Sequence, residues 1–427
     1  MNIVEIVCVL AVLTECVLFT SGDDDTVCEE TKHADVKYFD IRLPYMNVPE
    51  NLTSYVCDLQ RIPIALDVPY HAVAFEPIII NHDVMHHMIL FGCEQEQEYI
   101  APHHCGPVDN VCRTFLVQWS MGIRGQICSY PGTGVRFGAG SLKSLSLQIH
   151  WNNANQRPGL TDSSGVRVYY TTRLKENDLG NIQIGQNDLT IQPGVIRTLV
   201  TGSCSSACTR LWIQEPIYLT RGHIHMHYLG DGGRLELIRG GKAIQVVIDD
   251  ISFDYHSPPA HYFDDPVQVL PGDELKVTCY FNSRDGAKAR NRTVYWGEGS
   301  DGEMCYAFLT YFPKVDNFDQ CIQFDKYDIC SPSGTALLGD CSFGGFQNYF
   351  STVMADDIIR NCASGGQVYD QTKLCTINCQ RALQDFKENP CMEDRLGKYA
   401  IRVYLSGVPT WPQVAKILDA AEKYCLD

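Results

Sequence analysis

Basic residues are scarce in this chain. Its 427 residues carry 34 Lys and Arg against 51 Asp and Glu, a formal net charge of −17. Such a chain lacks the positive footprint that a phosphate backbone requires, so no nucleic acid is expected as a partner. Only one long apolar run is present, MNIVEIVCVLAVLTECVLFTSG at the N-terminus. No later window approaches the ~20 uncharged apolar residues of a membrane-crossing helix. Internal repeats and low-complexity tracts are absent. With 45% hydrophobic and 20% charged residues, the composition excludes a mainly disordered chain. The motif His-Glu-x-x-His, which marks a helical zinc site, is missing as well.

What is present begins with that first segment. Residues 1–22 read as a secretory signal peptide cleaved near Gly22, followed by Asp23, Asp24 and Asp25. Its n-region lacks Lys and Arg and holds Glu5, so an uncleaved anchor is the alternative. After cleavage no transmembrane segment is expected. Of the 20 Cys, Cys8 and Cys16 leave with the signal, and the remaining even number suits a disulfide framework. The sequons at Asn51 and Asn291 are candidate glycosylation sites. Together these features predict a protein that is secreted or held in a secretory-granule lumen.

From Val36 to about Pro313 short alternating runs are broken by turn residues, as in SLSLQIHW (144–151), VRVYYTT (166–172) and ELKVTCYF (274–281). The pattern predicts a mainly β fold of two tandem antiparallel β-sandwiches, jelly-roll-like, over 36–194 and 195–322. The Gln-Pro-Gly at 192–194 marks the expected joint. Beyond Asp316 the character changes. Helical spacing over Cys375–Glu388 and Trp411–Tyr424, with seven cysteines, predicts a small Cys-rich helical appendage over 330–427.

The histidines fall into informative groups: His86-His87, His150, and the alternating His223, His225 and His227. On a strand, His225 and His227 share a face and make a natural metal chelate. Adjacent His86 and His87 point to opposite faces of a regular strand, so both can serve one ion only if the backbone is twisted or bulged there. Imidazole suits Zn, Cu, Fe and Ni, while a soft thioether favours Cu(I). Met304 is a candidate for that thioether, though methionine is more often core filler. Singly, His150 reads as a satisfied core residue, and surface His pairs occur without metal.

The segments VMHHMILFGC, LQIHWNN, DSSGVRVYYT, HMHYLG and GEMC follow one another in an order and spacing that resembles the copper type II ascorbate-dependent monooxygenases. The resemblance covers about residues 36–322. It implies two copper ions per chain, with ascorbate as electron donor and O2 as co-substrate. By that resemblance His86, His87 and His150 match the ligands of an electron-transfer copper. His225, His227 and Met304 match those of an oxygen-activating copper and are the expected catalytic set. It further implies the bridges Cys57–Cys105, Cys93–Cys112, Cys204–Cys321 and Cys279–Cys305, with Cys208 pairing into the tail. Cys128 has no counterpart in it.

The expected activity is hydroxylation of a C–H bond in a small molecule, an amine of the phenylethylamine type. The family's peptide-modifying branch binds a carboxylate through an Arg, an Asn and a Tyr where this chain has His223, Tyr306 and Phe308. Those changes argue against a C-terminal glycine substrate. His223, Glu303 and Tyr306 are candidate substrate residues. His223 stays open between substrate contact, alternative ligand and inert neighbour, and Glu303 between an amine anchor and a structural hydrogen bond. The rival readings are a non-catalytic secreted disulfide-rich binding protein on the same scaffold and a peptide-modifying monooxygenase. Oligomeric state is not legible.

Overall fold

The computed structural model describes residues 26–105, 112, 114–121, 123–255, 258–297, 302–325, 327–330, 341, 343–405 and 408–425. The expected signal peptide lies outside these residues. Alternation builds the strands. In Ser144–Asn152, Leu145, Leu147, Ile149 and Trp151 enter the first core, while Ser146, Gln148 and His150 take the opposite face. Burying each large apolar side chain contributes roughly 1.5–3 kcal/mol.

The first sandwich pairs two sheets. One has the order Ile100–His104, Thr53–Arg61, Ser144–Asn152, Met85–Cys93, Thr114–Ser120. The other runs Lys37–Arg42, Gly165–Thr171, Pro69–Ile78, Thr133–Gly138, Asn177–Asp178. In the second sandwich a six-stranded sheet runs His261–Val269, Ile217–His225, Cys305–Phe312, Gly180–Gln186, Gln320–Phe324, Tyr327–Ile329. It faces a four-stranded sheet of Thr198–Cys204, Glu274–Phe281, Gly230–Arg239 and Lys242–Asp250. Pairing is antiparallel throughout these four sheets except where Asn177–Asp178 meets Thr133–Gly138 and where Gly180–Gln186 meets Gln320–Phe324.

Strand Gly180–Gln186 precedes the expected joint at 192–194 in sequence, yet it hydrogen-bonds into the second sandwich. We therefore place the joint near Asp178 and Gly180. The Pro-Gly turn there is a turn within the second unit, which composition alone does not distinguish from a linker. Asp178 ties the joint down: His71 Nε2 lies 2.7 Å from Oδ1, and Arg136 Nε donates to Oδ2 at 2.6 Å. Lys175 N–H donates to His71 Nδ1 at 2.8 Å, which leaves Nε2 to carry the proton toward Asp178.

The C-terminal unit is helical. Phe343–Tyr349 runs through a π-helical turn at Phe350–Met354 into Ala355–Cys362. Ile377–Lys387 starts where the Thr376 side chain accepts from Cys379 N–H, and Trp411–Cys425 has Pro412 in its first turn. Bridges Cys341–Cys391, Cys362–Cys379 and Cys375–Cys425 close this unit on itself, and Cys208–Cys330 fastens its approach to the second sandwich. The sandwiches carry Cys57–Cys105, Cys93–Cys112, Cys204–Cys321 and Cys279–Cys305. Cys128 pairs with Cys28, across 100 residues. Among the described residues no helix is long and apolar enough to cross a membrane.

Candidate metal centres

His86 and His87 stand together because of a backbone irregularity. His150 pairs with His87, but its neighbour Trp151 pairs with Met85, so His86 is the extra residue of a β-bulge. The bulge re-aims one side chain and brings two adjacent imidazoles to the same side. His86 Nδ1 and His87 Nδ1 are 3.2 Å apart, and His87 Nδ1 and His150 Nδ1 are 3.4 Å apart. The donor atoms of all three lie within 4.8 Å of one another.

That triangle fits a metal. An ion roughly 2.0 Å from each nitrogen, with ligand angles between tetrahedral and trigonal, sets neighbouring nitrogens roughly 3.3–3.5 Å apart. Imidazole lone pairs that face each other at this range need a proton or a cation between them. All three side chains are buried. Burial, with the neighbouring His150 and His86, pushes His87 well below the usual histidine range, and burial does the same to His150. Neutral imidazole is the form that binds copper. Tyr55 stacks on His150 with ring centroids 4.3 Å apart, fixing that ring.

The second group sits on the outer face of the six-stranded sheet. The register sets His223 opposite Phe308 and His225 opposite Tyr306, and the backbone N–H of His227 reaches Glu303, the neighbour of Met304. His227 Nδ1–H donates to Gly302 O at 3.0 Å, which leaves its Nε2 lone pair for a metal. The rings of His225 and His227 are 5.3 Å apart and nearly perpendicular. Two imidazoles and a thioether form a donor set suited to Cu(I).

Glu303 is committed to backbone. Its Oε2 accepts from His227 N–H at 2.8 Å and Met304 N–H at 3.3 Å, and its Oε1 from Leu229 N–H at 2.6 Å. Burial pushes its carboxyl up to about 7 against the pull of these three donors. It is a strap joining the two ligand segments, and a substrate amine would have to displace those bonds to reach it. Tyr306 is likewise engaged: Trp296 Nε1–H donates to its hydroxyl at 2.8 Å, and that hydroxyl donates to Asn187 Oδ1. His223 is buried and stacks on Phe308 at 5.3 Å, and its Nε2 has no hydrogen-bond partner. Burial, with Arg221 and His261 nearby, pushes it down to about 3.

The two groups face each other across the interface between the sandwiches. Tyr255 is the residue between them, 4.6 Å from His86 and 5.9 Å from His227 by ring centroids. Phe115 of the first sandwich stacks on Phe308 of the second at 5.4 Å. Neither Tyr255 nor Phe115 carries a sequence signal that singles it out. A cavity of about 330 Å³ lies along the same interface, with Tyr130, Arg221, Tyr262, Asp264 and Thr310 among its walls. Arg221 pairs with Thr310 two residues along the strands from His223 and Phe308.

The chain belongs to the copper type II ascorbate-dependent monooxygenases: that family's N-terminal domain matches residues 39–158 and its C-terminal domain residues 177–331. Dopamine beta-hydroxylase of Bos taurus is 32% identical over 298 residues, covering 66% of this chain and 48% of that protein. DBH-like monooxygenase protein 2 of Mus musculus is 28% identical over 301 residues, covering 67% of this chain and 47% of that protein. The chain thus spans about half the length of the curated relatives it matches.

Proposed function

We propose that this protein is a secreted copper monooxygenase that uses ascorbate and O2 to hydroxylate a C–H bond of a small amine of the phenylethylamine type. The convergence of three Nδ1 atoms at 3.2 and 3.4 Å carries the reading, because a buried trio of imidazoles serves little purpose without a cation. His86, His87 and His150 would hold one copper, and His225, His227 and Met304 the other. Copper held there would supply the one-electron redox chemistry that a reaction of O2 with a C–H bond requires, with ascorbate as the electron source.

The chain's own residues orient and enclose. Tyr55 and Gly302 fix ring directions, Glu303 holds both ligand segments, and Tyr255 packs against both sites. The aromatic faces of His223, Phe308 and Phe115 support an aromatic substrate. Asp264 in the adjoining cavity offers an ammonium group a carboxylate, a role that the strapped Glu303 is poorly placed to take. The aromatic residues at 223, 306 and 308 also weigh against a peptide carboxylate as the substrate group.

Copper stoichiometry and ascorbate-driven O2 uptake test the reading together. Two coppers per chain, and uptake coupled to hydroxylation of a phenylethylamine, are expected. Two coppers without coupled uptake across an amine panel would discard the substrate class, and no bound copper would discard the enzyme in favour of a binding protein.

A further inference from the structure

The helical unit at 341–425 lies beyond the matched domains, yet its packing reaches the second histidine site. On strand Cys305–Phe312, Cys305, Ala307, Leu309 and Tyr311 belong to the core of the second sandwich. Met304 and Tyr306 do not. They belong to the buried apolar cluster of the helical unit, together with Phe324, Phe346, Phe350 and Tyr399. The side chain expected to ligate copper is therefore embedded in a different core from the one that holds its strand.

Tyr399 connects the two. It is buried on the helix Asp394–Ala400, and its ring lies 4.7 Å from Phe324. Its hydroxyl accepts from Asn187 Nδ2 at 3.5 Å. Asn187 Oδ1 in turn accepts from Tyr306, two residues from Met304. A thioether on an unbranched side chain has three rotatable bonds, so its sulfur is only as well placed as its packing makes it. Three disulfides keep this packing rigid.

We propose that the helical unit is a wall of the second histidine site, with Tyr399 a positioning residue for Met304 that acts through Asn187 and Tyr306. The inference rests on the copper reading above. It is tested by copper K-edge X-ray absorption on the full-length protein, copper-loaded and reduced with ascorbate. Sulfur scattering is expected from one of the two coppers in the unaltered protein. Tyr399→Ala is expected to lose at least half of that sulfur amplitude, with two coppers still bound and imidazole scattering unchanged, a pattern that general loosening of the fold does not produce. Tyr399→Phe, which removes only the hydroxyl, is expected to lose roughly a third. Unchanged sulfur amplitude in folded Tyr399→Ala overturns the proposal. If that variant does not fold, unchanged amplitude in Tyr399→Phe overturns it. Absence of sulfur scattering from the unaltered, two-copper protein would instead remove Met304 as a ligand, and the wall with it.

Discussion

The ring of Tyr255 lies 4.6 Å from the imidazole of His86, although the two residues belong to different sandwiches. Tyr255 also packs 4.3 Å from Tyr228, whose hydroxyl accepts from Asn152 Nδ2 of the first sandwich at 3.5 Å. One aromatic side chain thus packs against an imidazole of each histidine group. Tyr255→Ala should keep both coppers, destabilise the chain by about 3 kcal/mol, and lengthen the Cu(II)–Cu(II) distance read by pulsed electron paramagnetic resonance. An unchanged distance would mean that other contacts hold the interface shut.

The two ligand sets should be separable. His87→Ala should lower bound copper from two ions to one and leave sulfur scattering intact, since the remaining site keeps Met304. Met304→Ala should remove the sulfur scattering and reduce ascorbate-driven turnover at least a hundredfold. Full turnover in Met304→Ala would move the chemistry elsewhere.

Glu303→Gln tests the strap. An amide offers one acceptor oxygen where the carboxylate offers two, and its NH2 would face a backbone N–H. A loss of about 2–3 kcal/mol in denaturant unfolding is expected, together with weaker copper binding. A neutral result would mean that Glu303 is already protonated and holds the segments less firmly than its three bonds indicate.

Asp178 gives an acid dependence with a definite sign. Partial burial alone would raise its carboxyl, but hydrogen bonds from His71 and Arg136 outweigh that and hold it well below the usual carboxylate range. The folded state therefore binds its proton less readily than the unfolded chain. The stabilisation is complete above the unfolded value of roughly 3.9 and is lost as pH falls below it toward the folded one. Unfolding midpoints between pH 7 and pH 2.5 should fall less steeply in Asp178→Asn than in the unaltered protein. Parallel curves would show that the joint does not depend on this charge.

Removing Cys28 and Cys128 together, as serines, should cost about 3–5 kcal/mol, because the bridge closes 100 residues of chain. Thermal unfolding under non-reducing conditions checks it. A change under 1 kcal/mol would show that the N-terminal segment is held by its other contacts.

The sequence was most legible where a period reports a face. ELKVTCYF coincides with strand Glu274–Phe281, and alternation in LSLQIHW separates the core residues from His150. Less legible were features that depend on partners far along the chain. That His86 and His87 share a side follows from His150 pairing with His87 and Trp151 with Met85, which leaves His86 unmatched, and alternation within one strand holds no trace of it. The joint moved because Gly180–Gln186 pairs with strands more than a hundred residues away. Tyr255 sits in a connection whose composition is ordinary. Its importance comes from what lies across the interface. The helices at 343–362 fall within the helical appendage expected over 330–427, although Phe-Gly-Gly-Phe has little helical preference of its own, and the helix there is supported by the Cys341 and Cys362 bridges and by apolar packing.

The bulge at His86 has one more consequence. Because the first triad exists by virtue of one supernumerary residue, its weak point is chain length as well as chemical identity. Deleting a single amino acid at Met85 would restore a regular ladder and swing one imidazole to the far side, with every ligand still encoded. A descendant of this gene could lose a metal without losing a histidine, and an inventory of ligand residues alone would miss it.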